Sequence, residues 1–528
     1  MSRAEMSPAV LYGKLAAREA ARAKRTLNPT LPSSTQRTST DRRNSPINGG
    51  SSSAKNGSGT SALRRPPAVL PSHDDPRALA QSRNESIAVA PIREIGAAPI
   101  ARDFRRRRLR RVNDELVPAR AGDHPDIYQF LLAVFQGPSR EEFHAIQDQP
   151  SYDPAQRLLL KREGRIAAHL QLSHWRMCFG ELRLPVSQVH WLGTLPEFRS
   201  QGYASRLLHR AEQEMRATGA VLGVLRTRIP QFFRQFGWAV CGRQSASQAK
   251  ARAVLARLSA EPATRQPLSI RLWRHVELPS LMRIYSQNTV KAYGPLERSE
   301  AYWRWLISRK AFDHIIVAIH GRDRMELVDT NAPIVGYAVV RQGRVDELLA
   351  SPDFPHAAVQ ILARACGDSI ERNRHTIEVE APPGDSLHRL MVEAGGTTNA
   401  GESDGGLVQM VKILDPAGFV KAFEPVFVER ARAANLAPDC ELGLFVDGVK
   451  HTLTVTRRGA KLVTGRLGRS YLALKGNEFT RLLLGHNDVT VPVEQERIVP
   501  STQIALETAR ALFPRLPLWR PNWDEALA

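Results

Sequence analysis

The stretch from His190 to Ser205, HWLGTLPEFRSQGYAS, leaves this chain few folds to choose from. Val186, Val189 and Trp191 are β-formers and predict a strand over Val186 to Leu192. Ala204, Leu207, Leu208, Ala211, Glu212 and Met215 recur at helical spacing and predict a helix from about Gly202 to Thr218. Between the two lies Arg199-x-x-Gly202-x-Ala204. A strand that turns tightly into a helix aims several unpaired N–H groups at one point, where the helix dipole favours negative charge. Gly202 lets a ligand approach the backbone, Ala204 keeps the first turn uncrowded, and Arg199 adds a cation. Such a corner suits a diphosphate. It also suits a purely structural role, because short Gly-containing loops before helices are common.

The residues that follow separate these readings. Val221 to Leu225 form a second apolar run, followed by Ile229-Pro230-Gln231-Phe232-Phe233-Arg234-Gln235-Phe236-Gly237-Trp238. Strand, Arg-x-x-Gly-x-Ala, helix, strand and a short helix ending in Phe-Gly-aromatic, in that order, resemble the GNAT superfamily of N-acetyltransferases over about Val112 to Arg243. The resemblance implies that the pyrophosphate of acetyl-CoA lies on Arg199, Ser200, Gln201, Gly202, Tyr203, Ala204 and Ser205. It implies the pantetheine arm along Leu192, Gly193 and Thr194, with Arg228 and Ile229 also at the cofactor.

Acetyl transfer to an amine needs a positioned thioester, a stabilised oxyanion, a base for the amine and an acid for the departing thiolate. In the resembled family a Tyr protonates the thiolate; alignment on Phe236-Gly237-Trp238 puts Phe233 there, and Phe has no proton to give. Another group or water would serve, or Phe233 is core packing. The family's base is the chain's own terminal carboxylate, which here belongs to Ala528. Trp523-Asp524 is more like the family's ending, so Asp524 and Glu525 are candidates too, each equally readable as a solvated tail charge. His190 is a further candidate, although a lone His on a strand is usually structural.

Charge and composition divide the chain. Before Asn113 there are 22 Lys/Arg against 8 Asp/Glu, so +14 of the total +21 sits on that segment and +7 on the remainder. Thr30 to Pro71 are rich in Ser, Thr, Asn, Gly and Pro, which predicts disorder; Ser7 to Leu27 could form a short basic helix. Arg105 to Arg111 reads as a solvated junction or as a phosphate-binding arm. The lack of interleaved aromatics favours the junction and speaks against nucleic acid as a partner. Cys178, Cys241, Cys366 and Cys440 are too scattered for a disulfide frame or metal site and read as buried thiols in a reducing compartment. With no secretory signal and no apolar run of membrane length, the expected location is cytoplasmic, without metal or membrane.

The expected fold is α/β (α+β) in four segments: a disordered basic tail over 1–108, a catalytic N-acetyltransferase domain over 109–262, a degenerate second copy over 263–414, and a C-terminal domain over 415–528. A helical stretch from Ser245 to Leu258 would close the first copy. The second repeats the element order, but Ala350-Ser351-Pro352-Asp353-Phe354-Pro355 stands at the corresponding turn, where two prolines remove N–H donors. The last segment, with an Asp447-Gly448 hairpin signal, resembles the sterol-carrier-protein-like domain, for which a structural role is favoured over lipid binding. The aromatic ending from Ala511 to Ala528 should tuck back into the protein. This arrangement resembles the enhanced intracellular survival family of N-acetyltransferases, which implies an acetyl-CoA donor, a cationic amine acceptor and a homo-oligomer, often a hexamer. The alternative, from a different class, is a catalytically weak acyl-CoA- or lipid-binding module, a reading that Phe233 favours.

Overall fold

The computed structural model describes residues 114–242, 244–260, 268–321, 333–401 and 407–525. The basic tail, including the helix expected near its start, lies outside them, as does Ala528.

The first sheet begins as an antiparallel meander of β1 (Asp114–Pro118), β2 (Arg157–Arg162), β3 (Arg165–Phe179) and β4 (Leu182–Thr194). Helices α1 (His124–Phe135) and α2 (Arg140–Gln147) intervene between β1 and β2. A reciprocal Ser139–Glu142 capping box starts α2 and satisfies two of its orphan donors. Helix α3 (Tyr203–Ala217) then crosses to β5 (Leu222–Thr227), which pairs parallel with β4; α4 (Pro230–Arg234) leads to β6 (Ala239–Val240).

From here the chain leaves the first sheet. Where the sequence predicts a helix over Ser245 to Leu258, the structure has β7 (Gln244–Lys250) and only then α5 (Ala251–Ser259). The stretch alternates with period two: Ser245, Ser247 and Ala249 are buried, and the Ser245 and Ser247 hydroxyls bond His388 at 2.8 and 2.7 Å. Burial and ladder pairing outweigh the helical leaning of its alanines. Strand β7 belongs to a second sheet, in the order β14-β7-β13-β12-β11-β10-β8. The other members are β8 (Ser269–Leu272), β10 (His314–Ile319), β11 (Ile334–Arg341), β12 (Arg344–Ala350), β13 (Thr376–Glu380) and β14 (Thr397–Gly401). Helices α6 (Leu278–Thr289), α7 (Glu300–Ser308), α8 (His356–Glu371) and α9 (Ser386–Glu393) accompany it.

The exchange is mutual. After β14 the chain returns as β15 (Val408–Ile413), which inserts between β5 and β6 of the first sheet, while β9 (Tyr293–Leu296) pairs with β3. Lys412 on β15 locks the graft: its Nζ lies 2.7 Å from both oxygens of buried Glu212 on α3, which also accepts from Trp238 Nε1. The first two units are therefore interwoven.

A third sheet, in the order β18-β17-β16-β19-β20, comprises β16 (Cys440–Val446), β17 (Val449–Val455), β18 (Ala460–Thr464), β19 (Tyr471–Leu474) and β20 (Ile498–Pro500). Asp447 and Gly448 both take positive φ (46° and 85°), as a type I′ hairpin requires. Helices α10 (Pro416–Ala422) and α11 (Glu424–Ala433) present Phe419, Phe423 and Phe427, all buried, to a core that continues into Phe179, Leu184 and Val186 of the first sheet. Helices α12 (Gly476–Leu483), α13 (Thr490–Glu494) and α14 (Gln503–Leu512) complete the unit. The chain then runs back across the first two units, burying Trp519 and Trp523. Among the described residues the four cysteines form no disulfide and no helix is long and apolar enough to cross a membrane.

Candidate active site

Strands β4 and β5 pair only from Val186↔Leu222 to Val189↔Leu225; past that point β4 runs on to Thr194 and β5 to Thr227 without a shared ladder. A bulge accompanies this parting. Trp191 has φ of 51°, and neither it nor Leu192 has a register partner on β3. An extra residue of this kind bends a strand and frees ladder groups. The bulge is held from below: burial drives the His169 imidazole down to a pKa of about 3, with Arg157 adding to the effect, so the ring is neutral. Its Nδ1–H donates to the Trp191 carbonyl at 3.0 Å, which turns the bare Nε2 toward Arg157 Nη1 at 3.3 Å. Gly193 is small for a reason, since a Cβ there would lie 2.8 Å from Phe135 of α1.

The strand gives way to α3 through Ser200 (φ 62°) and Gly202 (φ 77°). No side chain caps the helix, and a Cβ built on Gly202 would meet nothing within 4 Å. Nothing crowds the backbone at Gly202, and no side chain takes the first amides of the helix. The corner is braced at its edges: Tyr203 OH and Arg206 Nη1 each donate to Asp114 at 2.9 Å, and Arg162 donates to Gln201 Oε1 at 2.6 Å. Tyr203 is buried, so it offers its amide and not its ring to a ligand. Arg199, Ser200 and Gln201 are exposed; Ala204 and Ser205 are half-buried. Arg228 is exposed and Ile229 is 62% exposed, although it is a large apolar residue.

The two faces of the sheet differ in kind. Leu170, Leu172, Val189, Leu225 and Met410 pack against Leu207, Leu208, Ala211 and Met215 of α3. On the opposite face, register pairs bring polar residues together: Arg157 with Gln171, Gln171 with His190, Ser173 with Gln188, and Arg226 with Gln409. Arg157, Gln171, Ser173 and Gln188 are buried. Polar groups buried in a sheet are costly unless each finds a hydrogen-bond partner. Sequence reading passed over all of these except His190. The signal was available, since β3 and β4 place polar residues at alternate positions, His169, Gln171 and Ser173 on one and Gln188 and His190 on the other.

The chain's ending closes this polar face. Gln188 Nε2 donates to both oxygens of Glu525 at 3.0 Å, and Arg520 Nη1 donates to Glu525 Oε1 at 2.7 Å and to Gln188 Oε1 at 2.8 Å. Burial alone would raise the Glu525 pKa, but Arg520, Arg226, His190 and the Gln188 bond outweigh it and leave the carboxyl at about 2. Burial brings His190 down to about 4 against the pull of Glu525, so it is neutral at pH 7. Asp524 faces elsewhere. Arg298 Nε donates to it at 2.9 Å, and the same guanidinium grips Glu347 of β12 at 3.0 and 2.6 Å, all three side chains being fully buried. Phe233 is buried against Phe232 and Trp238 and presents no hydroxyl.

At the equivalent corner of the second sheet the donors are already in use. Phe354 N–H bonds Ser351 O, Ala357 N–H bonds Phe354 O, and Pro355, which has no N–H, caps α8.

Residues 115–241 match the acetyltransferase (GNAT) domain family, and the first unit is a GNAT acetyltransferase domain. No curated protein matches the chain. Solved structures share its fold across far more than this domain. A GCN5-related N-acetyltransferase from Anabaena variabilis superposes with a TM-score of 0.60 at 17% identity, covering 77% of this chain and 99% of its own. A conserved protein from Enterococcus faecalis gives 0.62 at 14%, covering 77% and 98%. Eis1 from Mycobacterium abscessus gives 0.55 at 15%, again covering 77% and 98%.

Proposed function

We propose that this chain transfers an acetyl group from acetyl-CoA to a primary amine, of a small molecule or a lysine side chain, at the parting of β4 and β5. The observation that carries the reading is the uncapped N-terminus of α3 beside that parting. Amides from Gly202 to Ser205 would take the diphosphate, with Arg199 screening it, and Leu192 to Thr194 would lie along the pantetheine arm. The freed groups of the bulge would meet the thioester oxygen as charge develops on it.

For the chemistry, His190 is the candidate base: its imidazole is neutral at pH 7, burial makes it a weak acceptor, and Glu525 beside it would favour the imidazolium formed when it takes the amine proton. The amine nitrogen forms its bond to the carbonyl carbon, the C–S bond breaks, and the thiolate takes a proton from water. With Phe233 in place no side-chain acid is required, because a thiol of pKa about 8.5 is a tolerable leaving group. The terminal carboxylate of Ala528 is the other candidate base. Asp524 is better suited to anchoring the tail. The second unit serves as a wall of the cleft, and the third as a sterol-carrier-like support in an oligomeric, cytoplasmic protein of the enhanced intracellular survival type.

Thiol release from acetyl-CoA with a panel of amines tests this. Amine-dependent release supports it. Tight CoA binding by calorimetry with no release would instead leave the second reading, a binding module, which the missing hydroxyl at Phe233 favours.

A further inference from the structure

Between the polar face, the edge of the second sheet and the chain's ending lies a small recess of about 20 Å³, partly open to solvent and lined by Arg226, Gln409, Glu380, Arg520, Asn522 and Glu525 among others. Its two arginines and two glutamates balance in number, but their hydrogen bonds are unevenly shared. Glu380 is taken by Arg344, with which it forms a very short contact. Glu525 is taken by Arg520 Nη1 and Gln188. Two cationic edges are left over. Among the described residues Arg226 has no ion-pair partner, and its Nη1 donates only to the neutral Asn522 Oδ1, at 2.8 Å. Arg520 is 8% exposed, and its Nη2 is buried without any hydrogen-bond partner. A desolvated guanidinium N–H left unpaired is costly, and the cost is greater with a second cation close by. The charges lie close together: burial pushes the Arg226 pKa down, Glu525 pulls it back up, and Arg520 and Arg344 add to the fall.

The recess has room for about one small polar group. A carboxylate offers two oxygens that can take N–H groups from both guanidiniums. It would sit on the polar face, beyond the parting of β4 and β5, where an acceptor and not the coenzyme would be bound. We infer that Arg226 and Arg520 form a carboxylate subsite, so that the acceptor is an amino-carboxylate, an amino acid or short peptide, and not a polycation. This rests on the acetyl-transfer reading for the amine, though not for the anion. A carboxylate could come from two sources, the acceptor or the chain's own terminus at Ala528.

The test uses the full chain. Rates are compared for lysine, γ-aminobutyrate and glycine, each against the amine that lacks its carboxylate: 1,5-diaminopentane, propylamine and methylamine. The expected result is at least about tenfold higher kcat/KM for the carboxylated member of a pair. Arg226→Gln should remove that preference chiefly through KM, and Arg226→Lys should restore part of it, with CoA affinity by calorimetry as the check on folding. Equal or better use of the bare amines, unmoved by Arg226→Gln, overturns the inference. Calorimetry with succinate, wild type against Arg226→Gln, keeps the two readings apart: binding lost in the variant, with no amine acetylated by either protein, supports the subsite and sinks the transferase. A chain extended past Ala528 by a short Gly-Ser tail, which carries the terminal carboxylate away without placing another beside Arg520, separates the sources. Succinate that binds only to this extended chain assigns the subsite to the terminal carboxylate and overturns the acceptor assignment.

Discussion

The two strand–turn–helix corners of this molecule are built on the same plan and end in opposite states. At α3 the turn runs through Gly202 with φ of 77°, no side chain caps the helix, and nothing crowds the backbone at Gly202. At α8 two prolines, Pro352 and Pro355, flank the turn, and Phe354 and Ala357 donate to neighbouring carbonyls. Both sheets also part beside their corner. Strands β12 and β13 share only Arg344↔Glu378 and Val345↔Val379. In the second sheet, however, the region beside β12 is filled by Arg298, Glu347, Tyr337, Trp523 and Asp524. A helix end left unsatisfied is a liability that packing normally removes. At one corner it has been removed and at the other it is kept, and the kept one is where an anionic ligand has something to gain.

If that contrast is real, the largest effect comes from spoiling the open corner. Gly202→Glu puts a negative charge into the cradle and a Cβ on a left-handed backbone. CoA affinity by calorimetry should fall by at least about a hundredfold, the loss of roughly 3 kcal/mol of charge-assisted contacts. Affinity within a few fold of wild type would mean the coenzyme binds elsewhere. Next comes the filled corner. Asp524→Ala leaves Arg298 with Glu347 alone inside a fully buried cluster, and removing one partner of such a pair costs about 3–5 kcal/mol. Urea unfolding should show a loss of this order. A change under about 1 kcal/mol would show that the tail does not depend on that anchor.

A smaller effect separates the corners by pH. His169, beneath the bulge, is held neutral by burial, with a pKa of about 3 against the ordinary 6.5. Between these values the unfolded chain binds the extra proton and the folded chain does not, so stability falls as the pH drops below 6.5. For His169 the loss is of order 3 kcal/mol by pH 4, and His190, with its pKa of about 4, adds to it. Glu525, depressed to about 2, holds its contribution above its unfolded pKa of 4.5 and loses it only as the pH falls toward 2. His169→Gln should therefore flatten the stability profile between pH 4 and 6.5. An unchanged slope would remove His169 from the account.

What the sequence could and could not disclose follows the range of the interactions. The open corner was legible because glycine, the helix period and the strand that feeds it are local. The Asp447-Gly448 hairpin was legible for the same reason. The strand Gln244–Lys250 was misread because its pairing partners, β13 and β14, lie more than a hundred residues away in sequence, and nothing local favours a strand there. The graft of β15 into the first sheet was invisible on the same grounds. At the site, the sequence pointed to Phe233 as a position without an acid, and the ring is indeed core. Arg520 and Arg226 escaped notice, because a charge's partners can be counted only after folding.

The smallest expected effect is also the sharpest test of how the two corners differ. If the prolines alone silenced the second, then Pro352→Gly with Pro355→Ser should reopen it, and CoA titration should reveal a second equivalent of binding. The structure argues otherwise. The Glu347–Arg298–Asp524 cluster is fully buried against β12, and dispersing three buried charged groups to admit a ligand there would cost more than freed amides could return. The double variant should therefore bind CoA with unchanged stoichiometry and affinity, within about twofold. A second site appearing in it would mean that the turn chemistry decides and the filling is incidental. The distinction between the corners would then rest on two residues and not on the path of the tail.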